Sequence, residues 1–200
     1  MPRNFIDGFK RTWYGNARIW VSLVSVSGII AALVFATPST AALKVGSKAP
    51  DFSTQGALAG KPFSFILSRA LKKGPIVLYF FPAAFTTGCT TEAHEFAEAT
   101  PEFQKLGATI IGVTAGSVDR LTQFSSVDCR NKFAVAAATP AMIKEYDVAS
   151  DMPGMSKLSA RTSFVIAPSG KIIYTYTAMS PDDHVKNTLA AVRDYVKLHH

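Results

Sequence analysis

Val77-Leu78-Tyr79-Phe80-Phe81-Pro82-Ala83-Ala84-Phe85-Thr86-Thr87-Gly88-Cys89-Thr90-Thr91-Glu92 is the stretch that decides the fold of this 200-residue chain. Its first five residues form a continuous apolar run entered from Lys72-Lys73-Gly74-Pro75, the pattern of a strand buried on both faces. Thr87 to Lys105 carries Glu92, Glu95 and Glu98 early and Lys105 late, the charge order that a helix dipole favours. Pro101 removes a backbone donor and predicts a kink or break near Thr100. Ala108 to Val113 repeats the apolar strand signature after Leu106-Gly107. Working outward from this strand-helix-strand unit, Ser117 to Lys132 reads as a second helix capped by Ser117, Phe133 to Ala138 as a short strand, and Pro140 to Tyr146 as a further helix. Arg161 to Ala167 and Lys171 to Thr177 alternate around Pro168-Ser169-Gly170 and predict a β-hairpin. Ser180-Pro181-Asp182-Asp183 supplies a cap, a proline and acids for a last helix. Alternating strands and helices followed by an antiparallel pair predict a three-layer α/β/α sandwich with a central mixed β-sheet flanked by helices.

Composition limits what the sandwich can be. With 48% apolar and 18% charged residues, the chain suits one domain with a full core, plus a removable or anchoring segment. The formal charge is +7, and residues 1–42 hold Arg3, Lys10, Arg11 and Arg18 against Asp7, a net +3 that leaves +4 for the rest. So mild an excess argues against a nucleic-acid partner, and no glycine-rich phosphate loop appears. From Ile19 to Ala36 the chain is apolar except for Ser22, Ser25, Ser27 and Gly28, and it exits through Ala36-Thr37-Pro38-Ser39-Thr40-Ala41-Ala42. Residues 1–42 are therefore expected to be a signal peptide, cleaved after Ala41 or Ala42, or an uncleaved membrane anchor. The run sits at the lower edge of the roughly 17–25 residues that a span requires. A buried helix would show a polar stripe, and none is present. The domain at 43–200 is expected outside the cytoplasm, in the periplasm or anchored facing it, with membrane contact only if the segment is retained. Linkers are expected only at 37–50 and in the Ser/Met/Gly-rich stretch from Ala149 to Ala160.

Two cysteines carry the chemistry. Cys89 follows a buried strand and falls in the first turn of the next helix, where unpaired N–H groups and the positive end of the dipole favour thiolate. A lone cysteine is often just a small buried hydrophobe. The Thr, Gly and Pro residues beside Cys89 are poor core companions, however, which favours a reactive thiol.

The pattern Pro-x3-Thr-x2-Cys, here Pro82, Thr86 and Cys89, followed by Thr-Thr-Glu-Ala, resembles the peroxidatic motif of the peroxiredoxins, specifically the bacterioferritin comigratory protein (PrxQ) subfamily. The similarity continues in Val45-Gly46-Ser47-Lys48-Ala49-Pro50-Asp51-Phe52 and Arg161-Thr162-Ser163-Phe164-Val165-Ile166, and so covers about residues 44–198. The resemblance implies a thioredoxin-like fold and a thiol peroxidase acting on hydrogen peroxide and organic hydroperoxides. Cys89 would be the nucleophile that becomes a sulfenic acid. Thr86 would place its hydroxyl on the peroxide and the thiolate, beside or instead of capping the helix. Arg161 would stabilise charge as the O–O bond lengthens, Pro82 would shield the pocket, and Glu92 would orient polar neighbours or simply sit well in a first helical turn.

Many members of the subfamily carry a resolving cysteine five residues after the nucleophile, a position held here by His94. Another subset places it on the following helix, and Cys129, forty positions on and late in the helix from Ser117, resembles that arrangement. It would then close an intramolecular disulfide with Cys89; the alternatives are a permanent structural disulfide, an inert thiol, and a one-cysteine mechanism with an external thiol. His94 points away from Cys89 and reads as a solvated or capping residue. His184, His199 and His200 lack metal-ligand spacing, so neither metal nor organic cofactor is expected. The partners implied are a hydroperoxide and a thioredoxin-like or other thiol reductant, and a monomer suffices for an intramolecular bond. Two rival functions stay open: a thioredoxin-like disulfide oxidoreductase, against which the lack of any Cys-x-x-Cys speaks, and a redoxin that senses or binds without peroxidase turnover.

Overall fold

The computed structural model describes residues 42–155 and 157–199. Within them the chain runs β1 (Ser53–Leu58), β2 (Lys61–Ile66), α1 (Leu67–Leu71), β3 (Ile76–Phe80), α2 (Thr87–Lys105), β4 (Thr109–Thr114), α3 (Val118–Val127), β5 (Ala134–Ala137), α4 (Pro140–Glu145), β6 (Thr162–Ile166), β7 (Ile172–Thr177) and α5 (His184–His199). The expectations for the export segment, 1–42, lie outside the described residues but for Ala42.

The strands form one sheet in the order β2-β1-β5-β4-β3-β6-β7. β3 pairs in parallel with β4, as β4 does with β5. The pairs β3–β6, β6–β7, β1–β2 and β1–β5 are antiparallel, so the sheet is mixed. β3 lies inside it with all five residues buried, which is why its sequence is apolar without alternation. Ile76, Leu78 and Phe80 enter a core shared with Leu67 and Leu71 of α1 and Met142 and Ile143 of α4. Val77, Tyr79 and, just beyond the strand, Phe81 enter a second core with Phe96 of α2, Leu121 and Phe124 of α3 and Val192 of α5. Two helices on one face and three on the other give the three layers.

The second core positions the site. The Tyr79 ring stacks on Phe96 at 4.4 Å and on Phe81 at 5.3 Å, and lies across Gly112, its partner in β4. A Cβ at Gly112 would come within 2.7 Å of the Tyr79 ring. The ring is clamped by its stacking partners and cannot yield. Gly112→Ala is expected to destabilise the protein by about 1–3 kcal/mol, read as a lower urea midpoint with an unchanged m-value.

Several boundaries differ from those expected. α2 runs unbroken through Pro101, because its buried face is held by Phe96, Ala97, Thr100 and Phe103 and packing outweighs one lost backbone bond. Ser117 caps α3, accepting from the Arg120 N–H at 3.4 Å. That helix stops at Val127, so Cys129 lies beyond it, in a turn where Arg130 and Asn131 take positive φ of 49° and 60°. The last helix begins at His184; Ser180 to Asp183 form the turn before it, with the Ser180 hydroxyl on Asp182. The stretch from Ala149 to Ala160 is no linker. Ala149 pairs with Ser159, and the buried Ser159 hydroxyl donates to the Phe81 carbonyl at 3.2 Å. The hairpin of β1 and β2 and the helix α1 were not anticipated: Ala59-Gly60 makes the two-residue turn, with φ of 50° and 73°, without the Asn-Gly or Asp-Gly signal that marks such turns.

Candidate active site

Six residues separate the end of β3 from the start of α2, so the intervening loop sets where the helix points. Phe85 in that loop has φ of +66°, an unfavourable region for a bulky residue. Its ring meets Phe124 edge-on at 5.2 Å, and Arg120 lies over it at 5.2 Å while donating to the Ala84 carbonyl at 3.0 Å. These contacts hold the strained turn and with it the N-terminus of α2. Thr86 is the N-cap, which makes Cys89 the third residue of the helix.

The Cys89 side chain is buried, 1% exposed. The guanidinium of Arg161, which directly precedes β6, donates from Nη2 to Cys89 Sγ at 3.5 Å. Its Nε donates to the Met179 carbonyl at 3.0 Å, and its Nη1 donates to Glu92 Oε2. All three nitrogens of the fork are thus committed, as a planar guanidinium allows. A Cβ at Gly88 would stand 3.2 Å from Nη2, so the smallest residue beside Cys89 lets the arginine approach the helix start. Burial opposes the Arg161 charge, but Glu92 and Cys89 outweigh it and hold the guanidinium above its ordinary range.

Glu92 and His184 are fully buried. Burial pushes the Glu92 carboxyl up to about 8 against the pull of Arg161, and pushes His184 down to about 4. His184 Nδ1 lies 2.8 Å from the Ser163 hydroxyl and 3.8 Å from Glu92 Oε1, while Nε2 lies 2.9 Å from the Ala178 carbonyl.

Other expected site residues are placed differently. The exposed Thr86 hydroxyl neither caps α2 nor reaches the cysteine; it donates to the Ala83 carbonyl at 3.0 Å. Its oxygen lone pairs remain able to accept from a peroxide O–H. Pro82 is half-buried, just past the end of β3. Cys129 is fully buried in the same core as Cys89, and both thiols are free. Burial, with the neighbouring Asp128 charge, pushes the Cys129 thiol well above its ordinary range. His94 pairs with Asp128 at 3.5 Å, partly exposed and away from the nucleophile. No group of three or more His, Cys, Asp or Glu suited to a metal occurs among the described residues.

The chain that places this buried thiol beside a fixed guanidinium on a thioredoxin-like sheet has relatives among known proteins. The AhpC/TSA family model matches residues 45–175. The chain belongs to the AhpC/TSA family. Peroxiredoxin Bcp of Bacillus subtilis is 30% identical to it over 161 residues, covering 76% of this chain and 96% of that protein. Chloroplastic peroxiredoxin Q of Sedum lineare is 30% identical over 145 residues, covering 72% and 75%. The crystal structure of peroxidoxin BcpB from Mycobacterium tuberculosis superposes with a TM-score of 0.69 at 29% identity, covering 76% of this chain and 97% of that one. The AhpC/TSA match includes every candidate site residue from Pro82 to Arg161 but stops short of Met179 and His184.

Sequence reasoning did not single out Ser163, Tyr79 or His184 as neighbours of this site, and it left Glu92 between orienting polar neighbours and a helix-start role. One signal was available. Glu92 lies one turn after Cys89 on α2, among Ala93, Phe96 and Ala97, and an acid on an apolar helical stripe needs a buried cation. No comparable signal marks His184, whose place against Glu92 exists only once α5 packs on the sheet.

Proposed function

We propose that this chain is a thiol-dependent peroxidase in which Cys89 reduces hydroperoxides. The observation that carries the proposal is the contact of the Arg161 guanidinium with Cys89 Sγ at 3.5 Å, in the first turn of a helix. Both features stabilise negative charge on sulfur, and the same guanidinium can stabilise charge on a peroxide oxygen in flight. The thiolate attacks the terminal peroxide oxygen; the S–O bond forms, the O–O bond breaks, and the leaving hydroxide or alkoxide takes a proton. Thr86 would accept from the peroxide, and Pro82 would limit water at the sulfur. The test is peroxide consumption by the purified chain with dithiothreitol as reductant. A rate above that of dithiothreitol alone is expected, and a rate equal to it would overturn the proposal.

Cys129 is the proposed resolving residue, its sulfur displacing water from the Cys89 sulfenic acid to give an intramolecular disulfide. The buried Cys129 is a poor nucleophile until the turn at 128–131 opens. Resolution therefore requires local rearrangement of that turn and the start of α2. Cys129→Ser is expected to reduce turnover with a thioredoxin by about tenfold or more, with recovery on adding a small thiol. Undiminished turnover would assign the chain a one-cysteine cycle. The export reading extends the proposal: a domain outside the cytoplasm would draw electrons from a thioredoxin-like or other thiol carrier there, as a monomer. The rival oxidoreductase reading would need a second cysteine near Cys89 in sequence, and the chain has only Cys129 besides.

A further inference from the structure

Behind Arg161 lies a buried polar layer that the peroxide chemistry above leaves unused. Glu92 Oε2 accepts from Arg161, but Glu92 Oε1 has no hydrogen-bond partner among the described residues. The nearest titratable atom of His184 to it, Nδ1, lies 3.8 Å away. The Ala178 carbonyl can only accept, so His184 Nε2 carries a hydrogen, and Nδ1 of a neutral ring accepts from the Ser163 hydroxyl. An ionised Glu92 would then hold an unpartnered carboxylate oxygen in the dry interior, facing a ring-nitrogen lone pair, which is costly. One proton on either atom removes the conflict.

We propose that Glu92 and His184 together hold one proton while Cys89 is a thiolate, and give it up when Cys89 is oxidised. The inference rests on the assignment of Cys89 as nucleophile. Charge balance supplies the reason. The buried group of Cys89, Arg161, Glu92 and His184 is neutral when the thiolate opposes the guanidinium and the pair is protonated. Once the sulfur is a sulfenic acid or disulfide, its negative charge is gone, and the group is neutral only if Glu92 is ionised opposite Arg161. In the oxidation step the peroxide's own proton stays on the sulfenic acid, and the leaving oxygen needs one more. The pair releases one, so the step draws no net proton from solvent. Other groups around the pair act in both directions. Glu95 of α2 and Asp183 beside α5 favour retention of the proton, and Arg161 opposes it. Tyr79 of β3 has a buried hydroxyl without a partner among the described residues, and Tyr176 of β7 meets the His184 ring edge-on at 4.8 Å. With burial raising Glu92 and lowering His184, the carboxyl is the member that carries the proton near neutrality. His184 is thus a positioning residue, acting on the sulfur through Glu92 and Arg161.

The test is infrared difference spectroscopy of the purified chain, reduced against peroxide-oxidised, at a pH where ultraviolet absorbance shows Cys89 as thiolate. A pH-indicator dye follows protons in the same reaction. Loss of a protonated-carboxyl band on oxidation is expected, with no net proton uptake per Cys89 oxidised. In Glu92→Gln the band should be missing and one proton should be taken up. In His184→Gln, whose amide can donate to Glu92, the carboxyl should already be ionised before oxidation, again with one proton taken up. An unchanged carboxyl region with one proton taken up by the unsubstituted chain would overturn the proposal. Behaviour of His184→Gln like that of the unsubstituted chain would remove His184 from the pair. Failure of peroxide to oxidise Cys89 at all, seen by mass, would overturn the nucleophile assignment and the proton pair with it.

Discussion

Cys89→Ser is expected to lower peroxide turnover by about a thousandfold or more, to the rate of the reductant alone, because removal of a covalent nucleophile leaves the rest of the site with nothing to position. Serine keeps the shape but not the chemistry. Its hydroxyl is not ionised near neutrality, so the guanidinium at 3.5 Å gains no anion. The buried site accepts a smaller side chain with little loss of stability, and an unchanged urea midpoint beside the lost turnover separates a chemical effect from a folding one. Retention of a tenth of the turnover would place the nucleophile elsewhere.

Arg161→Lys is expected to lower kcat/KM for peroxide by about 100- to 1,000-fold, the scale of losing one preorganised donor to developing charge. Lysine preserves the positive charge beside Cys89 and Glu92, so the net charge of the buried group is unchanged. It cannot reproduce the fork. Arg161 serves Cys89 Sγ, Glu92 and the Met179 carbonyl from three nitrogens at once, whereas an ammonium is a single point that must choose among them. Stopped-flow oxidation of the variant by hydrogen peroxide measures the effect directly. A loss of less than about fivefold would mean that charge alone, and not the geometry of the fork, is what the reaction uses.

How legible all this was in the sequence depends on the physical range of each signal. The β3 run and the α2 charge order are local, and both elements stand within a residue of where the sequence predicts them. The cap Ser117 is local too, accepting from the N–H three residues on. Helix ends were less legible. α3 stops at Val127 because Arg130 and Asn131 turn left-handed, and no glycine announces that turn. The β1–β2 hairpin was missed since Gly56 and Ala57 dilute its alternation and Ala59 is an uncommon turn residue. In the site, Cys89 was legible from its place at a helix start, while Arg161, distant in sequence, came only through family resemblance. The bond of the Thr86 hydroxyl to the Ala83 carbonyl was not legible, because it depends on the loop path. His184 and Ser163 could be connected only through tertiary packing of α5 against β6.

The measurement that bears most directly on the central claim is the intact mass of the reduced chain after one equivalent of hydrogen peroxide with no reductant present, followed by peptide mapping. The expected product is lighter by two hydrogens, has lost both thiols, and joins the peptides of Cys89 and Cys129 within one chain. A reduced chain unchanged in mass, with Cys89 still free, would contradict the claim that Cys89 is a peroxidatic nucleophile.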